Sequence, residues 1–203
     1  MKIILATGNL HKKRELSKIF APHTVLTPDD LGLSFSFKER GKSYLENALG
    51  KAHALFSLVR EPVLADDSGL SVPALGGEPG IYSARYGNSN ITGQSGRGVG
   101  FSDKQRNEYL LSRLKGKEKR EAFYVCCMVL LIGEYRFFIA QETLHGLIAE
   151  KPEGTGGFGY DPIFLLPDRG KTVASLSEEE KNLISHRGKA GMHIRTIIDK
   201  LDI

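Results

Sequence analysis

Two carboxylates stand side by side where an apolar run meets turn-forming residues. The stretch from Val63 to Leu70 reads VLADDSGL, so Asp66 and Asp67 directly follow three apolar residues. A short apolar run bounded by turn residues predicts a buried strand that ends at Ala65. Because adjacent carboxylates repel each other, a positive partner must lie nearby or one side chain must point away. A divalent cation would meet this need, since Mg²⁺ takes one or two carboxylates together with phosphate oxygens and waters.

The same stretch has a structural interpretation. Asp66 can form an Asx turn that caps Gly69. Successive side chains of a strand point to opposite faces, so one acid can face a ligand while the other holds the loop. Strand ends in open α/β sheets often carry ligands, which makes Asp67 and Ser68 candidates for a site. Both interpretations stay open at this point.

The segment from Ala6 to Lys12, ATGNLHK, predicts a strand, a tight turn and a helix start. Free backbone N–H groups at the positive end of a helix suit a phosphate group, and Lys12 adds a mobile positive charge. The segment is not a Walker A loop, because G-x-x-x-x-G-K-[ST] is absent. An ordinary strand-to-helix turn capped by Asn9 is the alternative.

A glycine-rich segment from Glu153 to Phe164 surrounds two aromatic residues, Phe158 and Tyr160, and Asp161 follows them. Glycine permits close backbone approach, and an exposed aromatic ring offers a stacking surface for a nucleobase. The Asp161 carboxylate can accept hydrogen bonds from ring N–H groups. The alternative is a tight loop whose aromatic side chains return to the core.

Several donors gather near the end of the chain, in EEKNLISHRGKA from Glu179 to Ala190. The donors are Lys181, Ser185, His186 and Arg187. Such groups suit a purine with a 6-keto oxygen and meet the amino group of adenine unfavourably. A solvated, charged helix start is the alternative.

Helical and strand patterns alternate along the chain. The predicted strands are Lys2–Ala6, VLA, EAFYVCCMVLLI and EYRFFIAQETL, which are joined at Gly133–Glu134, and IFLL. The predicted helices are His11–Ala21, a helix from Ser43 to Pro62, Ser102–Leu114, and two helices that begin after Ser177 and after Ser185. Ser43 and Glu46 are predicted to form a capping box at the start of the second helix. The Gly, Ser and Asn content from Tyr86 to Phe101 predicts a mobile loop. This order indicates an α/β fold with a mixed β-sheet, with no linker dividing residues 1–203.

Composition narrows the class of protein. The 203 residues are 40% hydrophobic and 26% charged, which predicts an ordinary packed core. No apolar run approaches the length of a membrane span, and the N-terminal stretch does not resemble a secretory signal, so we expect a cytoplasmic protein without a membrane partner. Cys126 and Cys127 are adjacent and predict small core residues rather than a disulfide. The net charge of +4 suits a polyanionic partner, either a nucleotide or nucleic acid.

Taken together, four segments resemble the inosine triphosphate pyrophosphatase family. They are TGNLHKKREL, ADDSGLSVPALGGEPGIYSARY, GTGGFGYDPIF and LSEEEKNLISHRGKA, in this order, and the similarity runs from Met1 to about Ala190. The resemblance implies hydrolysis of noncanonical purine nucleoside triphosphates such as ITP, dITP and XTP to the monophosphate and pyrophosphate, with Mg²⁺ as cofactor. It also implies an elongated mixed sheet flanked by helices, two lobes with the active-site cleft between them, and a homodimer.

The resemblance assigns residues by position. Asp67 is the catalytic proton acceptor and binds the metal together with Glu39. The predicted substrate-binding residues are Thr7, Gly8, Asn9, Leu10, His11, Lys12, Lys51, Ser68, Phe158, Gly159, Tyr160, Asp161, Lys181, His186 and Arg187. Two other functions remain as alternatives: a pyrophosphatase for other modified nucleotides, such as pyrimidines, and a nucleic-acid-binding module. The paired acids beside the phosphate loop count against the second, so no stable nucleic-acid partner is expected.

Overall fold

The computed structural model describes residues 1–87 and 101–201. Most of the loop predicted between Tyr86 and Phe101 therefore lies outside the described residues. The described strands are β1 (Lys2–Leu5), β2 (Thr24–Leu26), β3 (Val63–Ser71), β4 (Glu121–Gly133), β5 (Arg136–Ile148), β6 (Phe164–Leu166) and β7 (Lys171–Thr172). The described helices are α1 (Leu10–Ile19), α2 (Tyr44–Val59), α3 (Asp103–Arg113), α4 (Glu178–Ile184) and α5 (His186–Ile198), and short 3₁₀ turns connect several elements.

The strands form one mixed sheet of seven in the order β2-β1-β3-β4-β5-β6-β7. β1 pairs in parallel with β2 and with β3, whereas β6 pairs antiparallel with β5 and with β7. Parallel neighbours require crossover connections, and α1 and α2 supply them on the way from β1 to β2 and from β2 to β3. The predicted α/β fold with a mixed sheet flanked by helices is confirmed. The β4–β5 turn is Glu134–Tyr135, one residue later than predicted.

Apolar side chains pack on both faces of β1 and β3. On one face, Leu64 belongs to a buried cluster with Leu16 of α1 and Ile194 of α5. On the other face, the neighbouring residue Ala65 packs in a second cluster that includes Leu55 of α2. This alternation follows from the two-residue period of a strand. Residues 66 and 67, which continue the same strand, therefore face different helices.

The two cysteines of β4 follow the same alternation. Cys126 lies in the cluster with α1 and α5, and both thiols are free and buried. Burial, and then the charge of Asp67, raises the pKa of Cys127 to about 11. Both side chains act as small core residues, as the sequence predicts.

Several element boundaries differ from the sequence prediction, and β5 runs four residues past the predicted end at Leu144 to Ile148. β3 does not end at Ala65 but continues to Ser71, so both acids lie inside the strand. α1 ends at Ile19 instead of Ala21, because Pro22 disfavours the helical conformation of the residue before it. Ser43 caps α2 as predicted, but the capping box is incomplete: the Glu46 carboxylate accepts a hydrogen bond from the backbone N–H of Lys42, 2.8 Å away.

The chain divides into two compact units. The first comprises Met1–Ser68, Val125–Thr143 and Asn182–Ile203, and the second comprises Gly69–Tyr124 and Leu144–Lys181. The prediction of one domain with two lobes and an active-site cleft between them stays a prediction. In the part of the chain that the structure describes, no helix has the length and apolar character needed to cross a membrane.

Candidate active site

The first unit holds a buried ion-pair network centred on Asp66, whose side chain is 1% exposed. Its Oδ2 atom lies 2.8 Å from Lys12 Nζ and 3.2 Å from Arg187 Nε. Burial alone would raise the pKa of Asp66, but the charges of Lys12 and Arg187 hold it well below its usual value. The positive partners that the two acids require are therefore protein side chains on α1 and α5, and the predicted Asx turn at Asp66 is not formed because the strand continues.

Arg187 joins this network to two further residues. Its Nη1 atom donates to Glu15 Oε2 at 2.9 Å, and its Nη2 atom donates to Ser68 Oγ at 2.8 Å. The guanidinium group is almost fully buried, and its three nitrogens each contact an oxygen. A buried arginine with this geometry holds its neighbours in fixed positions.

Glu15 contacts the buried Arg187 but is not among the site residues predicted from the sequence. The available signal was its spacing, because Glu15 lies three residues after Lys12 and therefore on the same side of α1. A second acid on that side of the helix is what a buried arginine beside Asp66 requires.

Asp67 lies on the opposite face of β3, in a different environment. Its Oδ2 atom accepts a hydrogen bond from Asn47 Nδ2 at 2.9 Å, and its Oδ1 atom accepts one from the backbone N–H of Ser68 at 2.9 Å. Burial, followed by the negative charge of Glu39, raises the pKa of Asp67, although the bond from Asn47 acts in the other direction. Asp67 is thus the acid of the pair that is suited to accept a proton.

Asn47 is a second residue that the sequence analysis did not assign to the site. Its side chain is 1% exposed, and its Oδ1 atom accepts a hydrogen bond from the backbone N–H of Gly41 at 2.8 Å. A β-carbon at Gly41 would lie 2.7 Å from that Oδ1 atom, so glycine is required for the close approach. Asn47 therefore ties the segment that carries Glu39 to the strand that carries Asp67. Nothing in its spacing on α2 distinguishes it from an ordinary core-facing polar residue.

Lys51 lies one turn after Asn47 on α2. Its Nζ atom pairs with Glu39 at 2.6 Å and donates to the backbone carbonyl of Asp66 at 3.1 Å. Burial lowers the pKa of Lys51, but the charges of Asp66 and Glu39 outweigh this effect and raise it. Lys51 is consequently held as a cation beside Glu39 and Asp66.

The phosphate-loop segment begins α1. The Asn9 side chain accepts from the backbone N–H groups of His11 and Lys12, at 2.9 and 3.2 Å. Two of the N–H groups that the sequence predicts to be free are therefore occupied by the helix cap. Gly8 to His11 are exposed, and Leu10 has 76% of its surface accessible. The role of Thr7 to Lys12 in binding phosphate stays a prediction.

The second unit holds a separate polar cluster around Asp161, which is 4% exposed. Its Oδ2 atom accepts from the backbone N–H of Phe158 at 2.9 Å and from Lys181 Nζ at 2.8 Å. Lys181 Nζ also lies 4.5 Å from the centre of the half-buried Phe158 ring. The Tyr160 hydroxyl instead donates to the backbone carbonyl of Ser83 at 2.9 Å. One of the two aromatic side chains thus returns to the core, and the other keeps an exposed part.

The structure distributes the predicted site residues between the two units. The first unit contains Thr7, Gly8, Asn9, Leu10, His11, Lys12, Glu39, Lys51, Asp67, Ser68, His186 and Arg187; the second contains Phe158, Gly159, Tyr160, Asp161 and Lys181. The donor segment near the end of the chain is therefore divided, because Lys181 ends the second unit and His186 begins α5 in the first. The assignment of each residue to catalysis or binding stays a prediction.

Oxygen ligands for a hard cation are present in the first unit. Glu39 pairs with Lys51, whose Nζ atom also donates to the backbone carbonyl of Asp66, and the negative charge of Glu39 raises the pKa of Asp67. The Oδ1 atom of Asp66 is buried and has no hydrogen-bond partner among the described residues. The described residues contain no cluster of three or more His, Cys, Asp or Glu side chains that could enclose a metal alone. This donor set fits Mg²⁺, which keeps several waters and uses substrate phosphates.

Comparison with known proteins identifies the family to which this chain belongs. The sequence profile of the Ham1 family matches residues 3–197. The dITP/XTP pyrophosphatase of Treponema denticola is 50% identical over 198 residues, with 98% of each chain covered. The dITP/XTP pyrophosphatase of Thermus thermophilus is 49% identical over 195 residues, which cover 94% of this chain and 88% of the relative.

Solved structures agree with this result. The Ham1 protein of Staphylococcus aureus is 37% identical with a TM-score of 0.83, and 98% of each chain is covered. A HAM1 protein of Coxiella burnetii is 32% identical with a TM-score of 0.86, covering 99% of this chain and all of that one. An α/β protein with paired acids on a central strand is thus placed among nucleotide pyrophosphatases. The chain belongs to the Ham1 family, and the resemblance seen in the sequence is confirmed.

Proposed function

We propose that this chain hydrolyses noncanonical purine nucleoside triphosphates, namely ITP, dITP and XTP, to the nucleoside monophosphate and pyrophosphate, and so removes them from the nucleotide pool. The observation that carries the proposal is the different environment of the two adjacent acids of β3. Asp66 is held ionised by Lys12 and Arg187, while Asp67 has a raised pKa and no described ion-pair partner. Two homologues named dITP/XTP pyrophosphatase support the substrate class.

The proposal includes Mg²⁺, with Glu39 and Asp67 as the residues that would hold it. When bound, the ion would supply Lewis-acid neutralisation of the negative charge on the phosphate oxygens. Asn47 would keep the two acids in place, since it bonds to Asp67 and to the backbone N–H of Gly41 in the segment after Glu39.

In the proposed reaction, Asp67 removes a proton from a water molecule while the oxygen of that water attacks the α-phosphorus in line. The new bond joins the water oxygen to the α-phosphorus, and the bond from that phosphorus to the bridging oxygen breaks, so that pyrophosphate leaves. Lys12 and Lys51 stabilise the charge that develops on the triphosphate and the leaving group. Both ammonium groups are positioned in advance, by Asp66 and Glu39 respectively.

Base selection is proposed to rest on donors and acceptors in fixed positions. Lys181 is 7% exposed and is oriented by Asp161, so its ammonium group suits the 6-keto oxygen of a purine whose ring stacks on Phe158. His186 and Arg187 are further proposed donors. A purine that leaves such groups unpaired is rejected by factors of about 10⁴. Donors aimed at the 6-keto oxygen disfavour ATP, and we propose that the site is also hostile to the 2-amino group of guanine, so that both ATP and GTP are expected to be poor substrates.

The test is pyrophosphate release from a panel of triphosphates, with and without Mg²⁺. We expect turnover of ITP, dITP and XTP that depends on the metal, with far lower rates for ATP and GTP. Equal rates for GTP and ITP would contradict the proposal. Preference for modified pyrimidine triphosphates would favour the first alternative. Salt-sensitive binding to oligonucleotides without turnover would favour a nucleic-acid-binding module.

Two further parts of the proposal concern the protein as a whole. A homodimer is proposed by analogy with the family, and light scattering on the purified chain tests it. A cytoplasmic location is proposed from the nucleotide substrate, and fractionation of cells that produce the protein tests it.

A further inference from the structure

Both backbone groups of Gly159 are held by side chains of α3. The Gly159 N–H donates to Asp103 Oδ2 at 2.6 Å, and the Gly159 carbonyl accepts from Asn107 Nδ2 at 3.1 Å. Asp103 and Asn107 are one helical turn apart, so they project from the same side of α3. All of these residues belong to the second unit.

Gly159 lies between Phe158 and Tyr160, in the segment proposed to bind the base. Its φ of +64° is a left-handed conformation that glycine adopts at low cost. Permissive backbone of this kind does not hold one conformation without outside contacts, and α3 supplies two of them. The Gly159 N–H and the Phe158 carbonyl belong to the same peptide unit, so Asp103 holds the peptide that directly follows the residue carrying the ring.

Asn107 carries an unusual hydrogen-bond state. The residue is 4% exposed, and its Oδ1 atom is buried with no hydrogen-bond partner within residues 1–87 and 101–201. Rotating the amide would not remove the problem, because Nδ2 must face the Gly159 carbonyl. A buried unpaired acceptor lowers stability, whereas leucine would fill a similar volume without one. The Asn107 amide is therefore better suited to holding the backbone of Gly159, in the proposed base-binding segment, than to filling the core.

We infer that Asp103 and Asn107 are positioning residues for base recognition: they fix the Gly159 peptide groups and thereby the Phe158 ring that the base contacts. The inference rests on the proposed function, because it concerns the base-binding part of that site. Neither residue is assigned to touch the nucleotide.

A positioning role of this kind affects ligands with a base and spares ligands without one. Contacts to the base are equally present in the ground state and the transition state, so their loss raises KM and leaves kcat nearly unchanged. The two reaction products separate these effects, because IMP carries the base and pyrophosphate does not.

The experiment compares Asn107→Leu with wild type and with Glu108→Gln, a control on an exposed neighbour in the same helix. Kinetics with ITP give KM and kcat, and calorimetry gives Kd for IMP and for pyrophosphate. We expect KM for ITP and Kd for IMP to rise about tenfold in Asn107→Leu, with kcat and the pyrophosphate Kd within about twofold of wild type. Glu108→Gln should match wild type throughout.

An Asn107→Leu protein that binds IMP as tightly as wild type would overturn the inference, and so would equal weakening of IMP and pyrophosphate. If Asn107→Leu does not fold, Asp103→Ala decides by the same criteria, since Asp103 is half-exposed. Absence of pyrophosphate release from ITP by the wild-type chain would instead overturn the proposed function. The two failures are thus distinguishable.

Discussion

Asp66 and Asp67 are neighbours in the chain, yet their carboxylates lie on opposite faces of β3 and have pKa values displaced in opposite directions. Asp66 contacts Lys12 and Arg187, on the face covered by α1 and α5, whereas Asp67 contacts Asn47 of α2. The repulsion expected of adjacent acids is thereby avoided on one side by ion pairing and on the other by a raised proton affinity. The two substitutions to asparagine should consequently have different effects on stability.

Asp66→Asn should destabilise the protein. The substitution removes the carboxylate that pairs with both Lys12 and Arg187, although Arg187 keeps its contact with Glu15. Breaking a buried ion pair costs about 3 kcal/mol or more in the free energy of unfolding. Because the pKa of Asp66 is lowered on folding, its contribution is present above the usual pKa and is lost as the pH falls. Urea unfolding should therefore show a large loss at neutral pH that shrinks below about pH 4. A loss that is independent of pH would contradict the assignment.

Asp67→Asn should abolish turnover and change how the stability of the fold depends on pH. The folded protein binds the Asp67 proton more tightly than the unfolded chain does, so stability falls as the pH rises above the usual pKa of about 3.9. Removing the ionisable group removes that penalty, but an amide offers one acceptor oxygen where both carboxylate oxygens now accept N–H bonds. We therefore expect the Tm of the variant to lie below that of wild type near pH 4, and the difference to move in favour of the variant as the pH rises to neutral.

The same variant separates stability from catalysis. Its rate of pyrophosphate release should drop by a factor of about 10³ or more, because the proton acceptor is gone. Retained activity would exclude Asp67 as the base, and a Tm difference from wild type that is the same near pH 4 and at neutral pH would contradict its proposed electrostatics.

Glu15→Gln tests how much the contact between Glu15 and the buried Arg187 contributes to the stability of the fold. Loss of the charged partner 2.9 Å from a buried guanidinium should cost about 1–3 kcal/mol in the free energy of unfolding. Glu61→Gln is the matched control, because Glu61 pairs with Lys2 at the surface and such pairs contribute less than about 1 kcal/mol. Equal losses in the two variants would show that the Glu15 contact is an ordinary surface pair.

Gly157→Ala should weaken nucleotide binding through Asp161. Gly157 has a φ of +70°, and a β-carbon there would lie 2.2 Å from Asp161 Oδ2, the atom that orients Lys181. Gly170→Ala provides the control: its φ is +59°, but the space around it is open. Both variants should lose about 1 kcal/mol in stability from the backbone conformation.

Only Gly157→Ala should raise KM for ITP, by about tenfold, with kcat little changed. Steady-state kinetics on the two variants decide the matter. Equal KM values would show that the orientation of Asp161 does not govern substrate binding.

The sequence predicted the parts of the fold that depend on local pattern. Caps at Asn9, Ser43 and Ser185 are present where predicted, because they require only one side chain and the next turn of backbone. The end of β3 was predicted wrongly, since charges normally mark the end of a buried strand. Only tertiary partners far along the chain, such as Arg187, explain why the strand continues through Asp66.

The same limit applies to the candidate site. Its acids, lysines and glycine-rich segment could be found from residue type and order. Asn47 and Asn107 could not, because each acts through another residue, Asn47 on Asp67 and Asn107 on Gly159. Glu15 acts on Arg187 and offered only its spacing from Lys12 as a signal. Their types are common on helix surfaces, and only the contact partner distinguishes them.

Hydrolysis of ITP in water enriched in ¹⁸O tests the account most directly, with mass spectrometry of both products. Attack on the α-phosphorus predicts IMP that carries one ¹⁸O atom and unlabelled pyrophosphate, with almost no labelled IMP when Asp67→Asn replaces the wild-type protein. Release of IDP and inorganic phosphate, or label in the pyrophosphate, would contradict it.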